Sequence, residues 1–126
     1  MLRLQRRQET LLTSLPEQAL PRHFDEFGYG MVVADGMGGT GSGEAASRLA
    51  ITTLASLAVY FGKWNVRIDA PIASEVIDRV ERFYRGVDAT LVEASQPGTP
   101  ALRSTLTALF SAGSDLFYAH VGHSRA

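Results

Sequence analysis

The stretch "YGMVVADGMGGTGSGEAAS", residues 29 to 47, leaves little choice of local fold. Met31-Val32-Val33-Ala34 ends on Asp35, and five glycines follow within eight residues: Gly36, Gly38, Gly39, Gly41 and Gly43. A short apolar run bounded by turn residues reads as a largely buried strand, here closing the segment from Phe27 to Asp35. Glu44 to Phe61 then reads as a helix. Ser42 is its expected N-cap, Glu44 adds favourable charge in the first turn, and Gly62 closes the far end. The apolar positions of this helix are spread so broadly that most of its surface needs cover.

A second helix is predicted from Pro71 to about Ser95. Ile72, Val76, Val80, Phe83, Val87 and Leu91 recur at three- or four-residue steps, and Ile77 and Tyr84 widen the stripe. Glu75, Asp78, Arg79, Glu81, Arg82 and Arg85 largely occupy the other face, as a solvated surface does. After the turn residues of "SQPGTPA", Ser104 to Phe110 and Leu116 to Val121 read as an antiparallel hairpin joined by "SAGSD". Residues 1–26 are mixed and polar, and Pro16 and Pro21 cut short any helix around Thr10 to Leu15. They read as an irregular segment before a domain over 27–126. The chain stops at Ala126 on what reads as a strand exit, which looks like a cut.

Composition narrows the function. Apolar residues make up 45% of the 126 and charged residues 20%, an ordinary globular balance. The net charge of −1 gives no global pull toward nucleic acid or anionic membrane. No cysteine is present, so disulfides and thiolate metal sites are excluded. No signal-peptide core follows Arg3, Arg6 and Arg7, and the longest apolar stretch, Leu54 to Phe61, is too short to span a bilayer. A cytoplasmic protein is expected.

A carboxylate at a strand end beside a glycine turn suits a hard divalent cation. Asp35 offers two oxygens, and Gly36, lacking a Cβ, can present its carbonyl. Oxygen donors favour Mg²⁺ or Mn²⁺ over zinc. The plainer alternative is that the glycines only shape the turn and Asp35 caps it. Residues 36–41 also fit G-x-G-x-x-G. Against a dinucleotide site stand the like charge of Asp35 and the lack of any acidic residue between Ala50 and Asn65. No Gly-Lys-Ser/Thr follows to make a P-loop. "VGHSRA" is a poor nucleophile elbow around Ser124, because Ala126 replaces the second glycine.

"VVADGMGGTGSGEAAS" resembles the D-G-M-G-G…G-E-x-A-S signature of the PPM-type (type 2C) metal-dependent protein serine/threonine phosphatases. The tail "STLTALFSAGSDLFYAHVGHSRA" resembles the family's later S/T-T…hairpin…V-G-D-S-R-A block, and order, spacing and intervening helices agree. The resemblance implies an α/β (α+β) sandwich of two antiparallel sheets flanked by helix pairs, with only the N-terminal part of the domain present. It implies a dinuclear Mn²⁺ or Mg²⁺ centre, with Asp35 bridging both ions and the Gly36 carbonyl on one. Water activated there would attack the phosphorus of phosphoserine or phosphothreonine in a protein substrate, without a protein nucleophile.

Three departures follow. Nothing upstream fits the family's phosphate-binding arginine and Asn/Glu-Asp pair, and its later aspartates would lie beyond Ala126. The V-G-D-S-R-A aspartate, associated with an accessory metal, is His123 here. His123 is either a nitrogen ligand at that position or a hydrogen-bonded structural histidine. His120 reads as a packed strand residue, His23 as a loop residue, and Arg125 as a structural ion pair or a phosphate contact. One side-chain ligand and one carbonyl do not hold such a metal pair. The expectation is an incomplete, inactive piece of a phosphatase domain; the alternative is a non-catalytic pseudophosphatase or phosphoprotein-binding module of the same fold.

Overall fold

The computed structural model describes residues 1–8, 14–20, 24–39, 41–63, 68–98, 101–112 and 114–123. Strands β1 (Leu2–Gln8), β2 (Phe24–Val33), β5 (Leu106–Ala112) and β6 (Asp115–Val121) form one antiparallel sheet in the order β1-β2-β5-β6. A two-stranded antiparallel sheet pairs β3 (Gly36–Met37) with β4 (Arg103–Ser104). A short 3₁₀ turn spans Glu17–Ala19, and helices α1 (Ser42–Phe61) and α2 (Ala70–Ala94) run between β3 and β4. The two antiparallel sheets and the helix pair match the expected α+β class.

The helices cover one face of the larger sheet. Ala46, Ala50 and Leu54 of α1, Val87 and Leu91 of α2, and Leu106 and Ala108 of β5 form the buried core. Val32, Ala34, Leu49, Leu57, Phe83, Tyr84 and Leu102 pack at its margin. Small residues on α1 let the helix settle close to the sheet. Tyr84 Oη donates to the Ala119 carbonyl at 3.0 Å, tying α2 to β6, and burial pushes this phenol up to about 12.

The other face of the sheet has no cover among the described residues. Phe27, Tyr29, Met31 and Val33 of β2 alternate with inward-facing neighbours and stand exposed, as do Leu116 and Tyr118 of β6. The Met31–Ala34 run is therefore half-buried by alternation rather than buried throughout, since Val33 is 67% exposed. Helix α1 is also less covered than expected: Val59, Tyr60 and Phe61 are exposed at its end.

Three further local readings change. The first part of the supposedly irregular residues 1–26 is strand β1, paired with β2 from Leu2↔Gly30 to Gln8↔Phe24. Its Arg3 lies over the Phe27 ring, 5.4 Å from the centroid. Polar and basic side chains suit an edge strand, and they concealed it. Ser42 is the first helical residue rather than the cap. Gly41, at φ 93°, takes the cap position, and Ser42 Oγ donates back to the Gly39 carbonyl at 3.0 Å. In α2, Asp69 is the N-cap, accepting from the Ile72 N–H at 2.9 Å, with Pro71 in the first turn. Arg79 is buried, 3.9 Å from Glu75, while Ile77 is exposed, so the apolar stripe is narrower than its spacing implied. Of the region around Thr10 to Leu15, residues 9–13 lie outside the described residues, as do His23, Ser124 and Arg125.

Candidate metal-ligand site

The site forms where β2 leaves the sheet. Val33 pairs with Thr107, and two residues on Asp35 meets Thr105. The Thr105 N–H donates to the Asp35 carbonyl at 2.9 Å, and the Asp35 N–H donates to Thr105 Oγ1 at 3.1 Å. The backbone of Asp35 is thus held on both sides by one buried threonine, 70 residues away in sequence. The carboxylate itself is exposed, and no partner holds it among the described residues. That leaves its oxygens free for a ligand.

Gly36 follows in the small sheet, opposite Ser104. Its lack of a side chain is required by packing: a Cβ there would overlap the Gly43 carbonyl in the first turn of α1. A Cβ on Gly43 would in turn sit 2.6 Å from the Gly36 oxygen. Both glycines are explained by this close approach, whatever else Gly36 does.

Gly122, at φ 106°, bends the chain after β6, and a Cβ on it would meet Thr105 Cγ2 at 2.8 Å. Asp35, Thr105 and Gly122 thereby gather at one end of the sheet. His123, one residue further on, is exposed. His120 packs in β6 as expected. Thr107 Oγ1 lies 2.8 Å from its Nδ1 and the Gly122 carbonyl 2.9 Å from its Nε2. A tautomer with the proton on Nε2 satisfies both contacts, donating to Gly122 and accepting from Thr107.

Asp35 and Gly36 supply oxygens from adjacent residues, which fits a hard ion in kind. In number they fall short: among the described residues no three of His, Cys, Asp or Glu converge, so neither Asp35 nor His123 belongs to such a group. The dinucleotide alternative fails on topology. Every ladder described is antiparallel, so the parallel βαβ unit such a site requires is not formed. No described helix is long and apolar enough to cross a membrane.

Sequence reading missed Thr105 and its contact with Gly122. The S/T-T pattern includes Thr105 but says nothing of its partners, which are set by register and not by neighbours in sequence.

In sequence and in fold the chain is similar to PPM-type serine/threonine protein phosphatases. In particular, it is similar to the serine/threonine protein phosphatase PstP of Mycobacterium tuberculosis, from strains CDC 1551 / Oshkosh and ATCC 25618 / H37Rv. Each is 30% identical over 97 residues, spanning 75% of this chain and 17% of the relative. The crystal structure of the Mycobacterium tuberculosis serine/threonine phosphatase PstP/Ppp superposes with a TM-score of 0.57 and 25% identity, covering 95% of this chain and 46% of that one. No protein-family profile matches the chain.

Proposed function

We propose that the chain, with β1 and β2 included, forms part of a metal-dependent phosphatase domain acting on phosphoserine and phosphothreonine in proteins. The observation that carries this reading is the exposed Asp35 carboxylate, without a partner among the described residues and held by its backbone at the end of β2 in a PstP-like fold. Asp35 and the Gly36 carbonyl are the groups that would hold Mn²⁺ or Mg²⁺. Such ions, when bound, act as Lewis acids and activate water toward phosphorus. The chain's own part is to fix the carboxylate in place and leave it open to solvent. A cytoplasmic location goes with this reading.

Among the described residues, Asp35 and Gly36 by themselves would leave most positions on a pair of such ions to water. The chain by itself is therefore expected to be inactive toward phosphopeptides. The absence of a three-ligand group among the described residues also favours a second reading, a phosphoprotein-binding module without turnover.

Calorimetric titration with Mn²⁺, comparing the wild-type chain with Asp35→Asn, decides between them. Binding in the wild type that weakens at least tenfold in the variant supports the metal reading. Equal binding in both overturns Asp35 as a ligand and favours the non-catalytic module; no binding in the wild type makes the chain a piece of the domain without its metal chemistry.

A further inference from the structure

The pairing of β2 with β5 ends at Val33↔Thr107, and that of β3 with β4 resumes at Gly36↔Ser104. Both belong to one register, which sets Asp35 opposite Thr105. In a regular antiparallel pair of this kind, the two residues exchange two N–H···O=C bonds. Here one rung is ordinary, from the Thr105 N–H to the Asp35 carbonyl at 2.9 Å. In the other, the Asp35 N–H goes to the Thr105 hydroxyl at 3.1 Å in place of the Thr105 carbonyl. That carbonyl accepts instead from Ser104 Oγ at 2.8 Å.

The substitution of a hydroxyl for a ladder carbonyl has a physical consequence. It lets the strand pair break from the large sheet into the small one without leaving the Asp35 N–H unsatisfied. It also ties the Asp35 backbone to a side chain that is itself fixed, because Thr105 is 5% exposed and its methyl packs on Gly122. Both branches at Cβ are used. The hydroxyl holds Asp35, and the methyl holds the exit of β6.

We propose that Thr105 is the positioning residue for Asp35, its hydroxyl standing in for a ladder carbonyl so that the carboxylate is presented rigidly at the sheet's end. The consequence for a bound cation rests on the phosphatase reading above; the backbone geometry does not. The role assigned to Thr105 is exerted through the Asp35 backbone, which its hydroxyl holds.

The two branches can be removed one at a time. Thr105→Val keeps the shape and the methyl but cannot accept a hydrogen bond; Thr105→Ser keeps the hydroxyl and loses the methyl. The first readout is amide hydrogen exchange of the whole chain by NMR. In Thr105→Val the Asp35 amide is expected to exchange about tenfold faster, the worth of one hydrogen bond, with the paired Leu109 and Met31 unchanged. Thr105→Ser is expected to keep wild-type protection at Asp35.

Unchanged Asp35 protection in Thr105→Val overturns the proposal, as does a uniform loss across β2 and β5 in a variant that stays folded. Should Thr105→Val not fold, Thr105→Ser decides: retained protection supports the role, and loss overturns it. The second readout is Mn²⁺ affinity, expected to fall about tenfold in Thr105→Val and to recover in Thr105→Ser. A wild-type chain that binds no Mn²⁺ removes the metal role of Asp35 in this chain, while the exchange result still decides the positioning role.

Discussion

Gly36 and Gly43 meet backbone to backbone, so that neither tolerates a Cβ without movement of the other. This contact seats the first turn of α1 against the residue after Asp35. Gly36→Ala is expected to cost about 1–3 kcal/mol as an overpacked contact. Gly43→Ala is expected to cost less, because alanine recovers about 0.5–1 kcal/mol of helix propensity. Urea melts of the two variants check the order; a milder effect at Gly36 would contradict the packing account.

The two helix starts differ in what their polar residues do. Asp69 accepts from the Ile72 N–H, so Asp69→Ala is expected to lose about 1 kcal/mol. Ser42 donates to Gly39 and caps nothing, so Ser42→Ala is expected to lose clearly less. Thermal denaturation of both variants tests the contrast, and equal losses would argue that Ser42 does cap α1.

Tyr84 makes stability sensitive to alkali. Its folded value, about 12, lies above the unfolded value of about 10. The proton is thus held more tightly in the folded state. The associated stability is fully present below about pH 10 and is lost as pH rises toward about 12. The group is only half-buried, so the contribution is discounted for solvent to about 1 kcal/mol. Melting temperatures measured across this range should fall more steeply for the wild type than for Tyr84→Phe.

The open face of the sheet carries Phe27, Tyr29, Met31, Val33, Leu116 and Tyr118. Apolar patches of this extent drive association, so the isolated chain is expected to self-associate and to bind a hydrophobic dye. The double substitution Val33→Lys and Leu116→Glu changes two exposed positions and is expected to alter stability by about 0.5 kcal/mol or less each. Light scattering should show less association in this variant. Unchanged association would place the sticky surface elsewhere, for instance at Val59, Tyr60 and Phe61.

Much of the fold was legible locally. Both helices fall within two residues of the boundaries read from their apolar spacing and end residues, and the hairpin lies where two apolar runs flank a Gly-containing turn. Strand β1 was not legible. Its leucines, arginines and glutamines become a strand only by pairing with β2, and an edge strand needs no apolar face to do so. Arg79 was misplaced for a related reason, since helical spacing says which residues share a face but not how far a neighbouring helix covers it.

Asp35 and Gly36 were marked by composition alone: a lone carboxylate closing an apolar run, and glycines crowded behind it. That much the sequence determined by itself, because strand, turn and helix follow from neighbours within a few residues. The tertiary structure alone decided that Gly36 is needed to admit Gly43, that Thr105 holds Asp35 across 70 residues, and that Gly122 closes on Thr105. Such contacts depend on strand register and helix approach, which are settled only when distant segments pack. Periodicity along the chain carries no record of them.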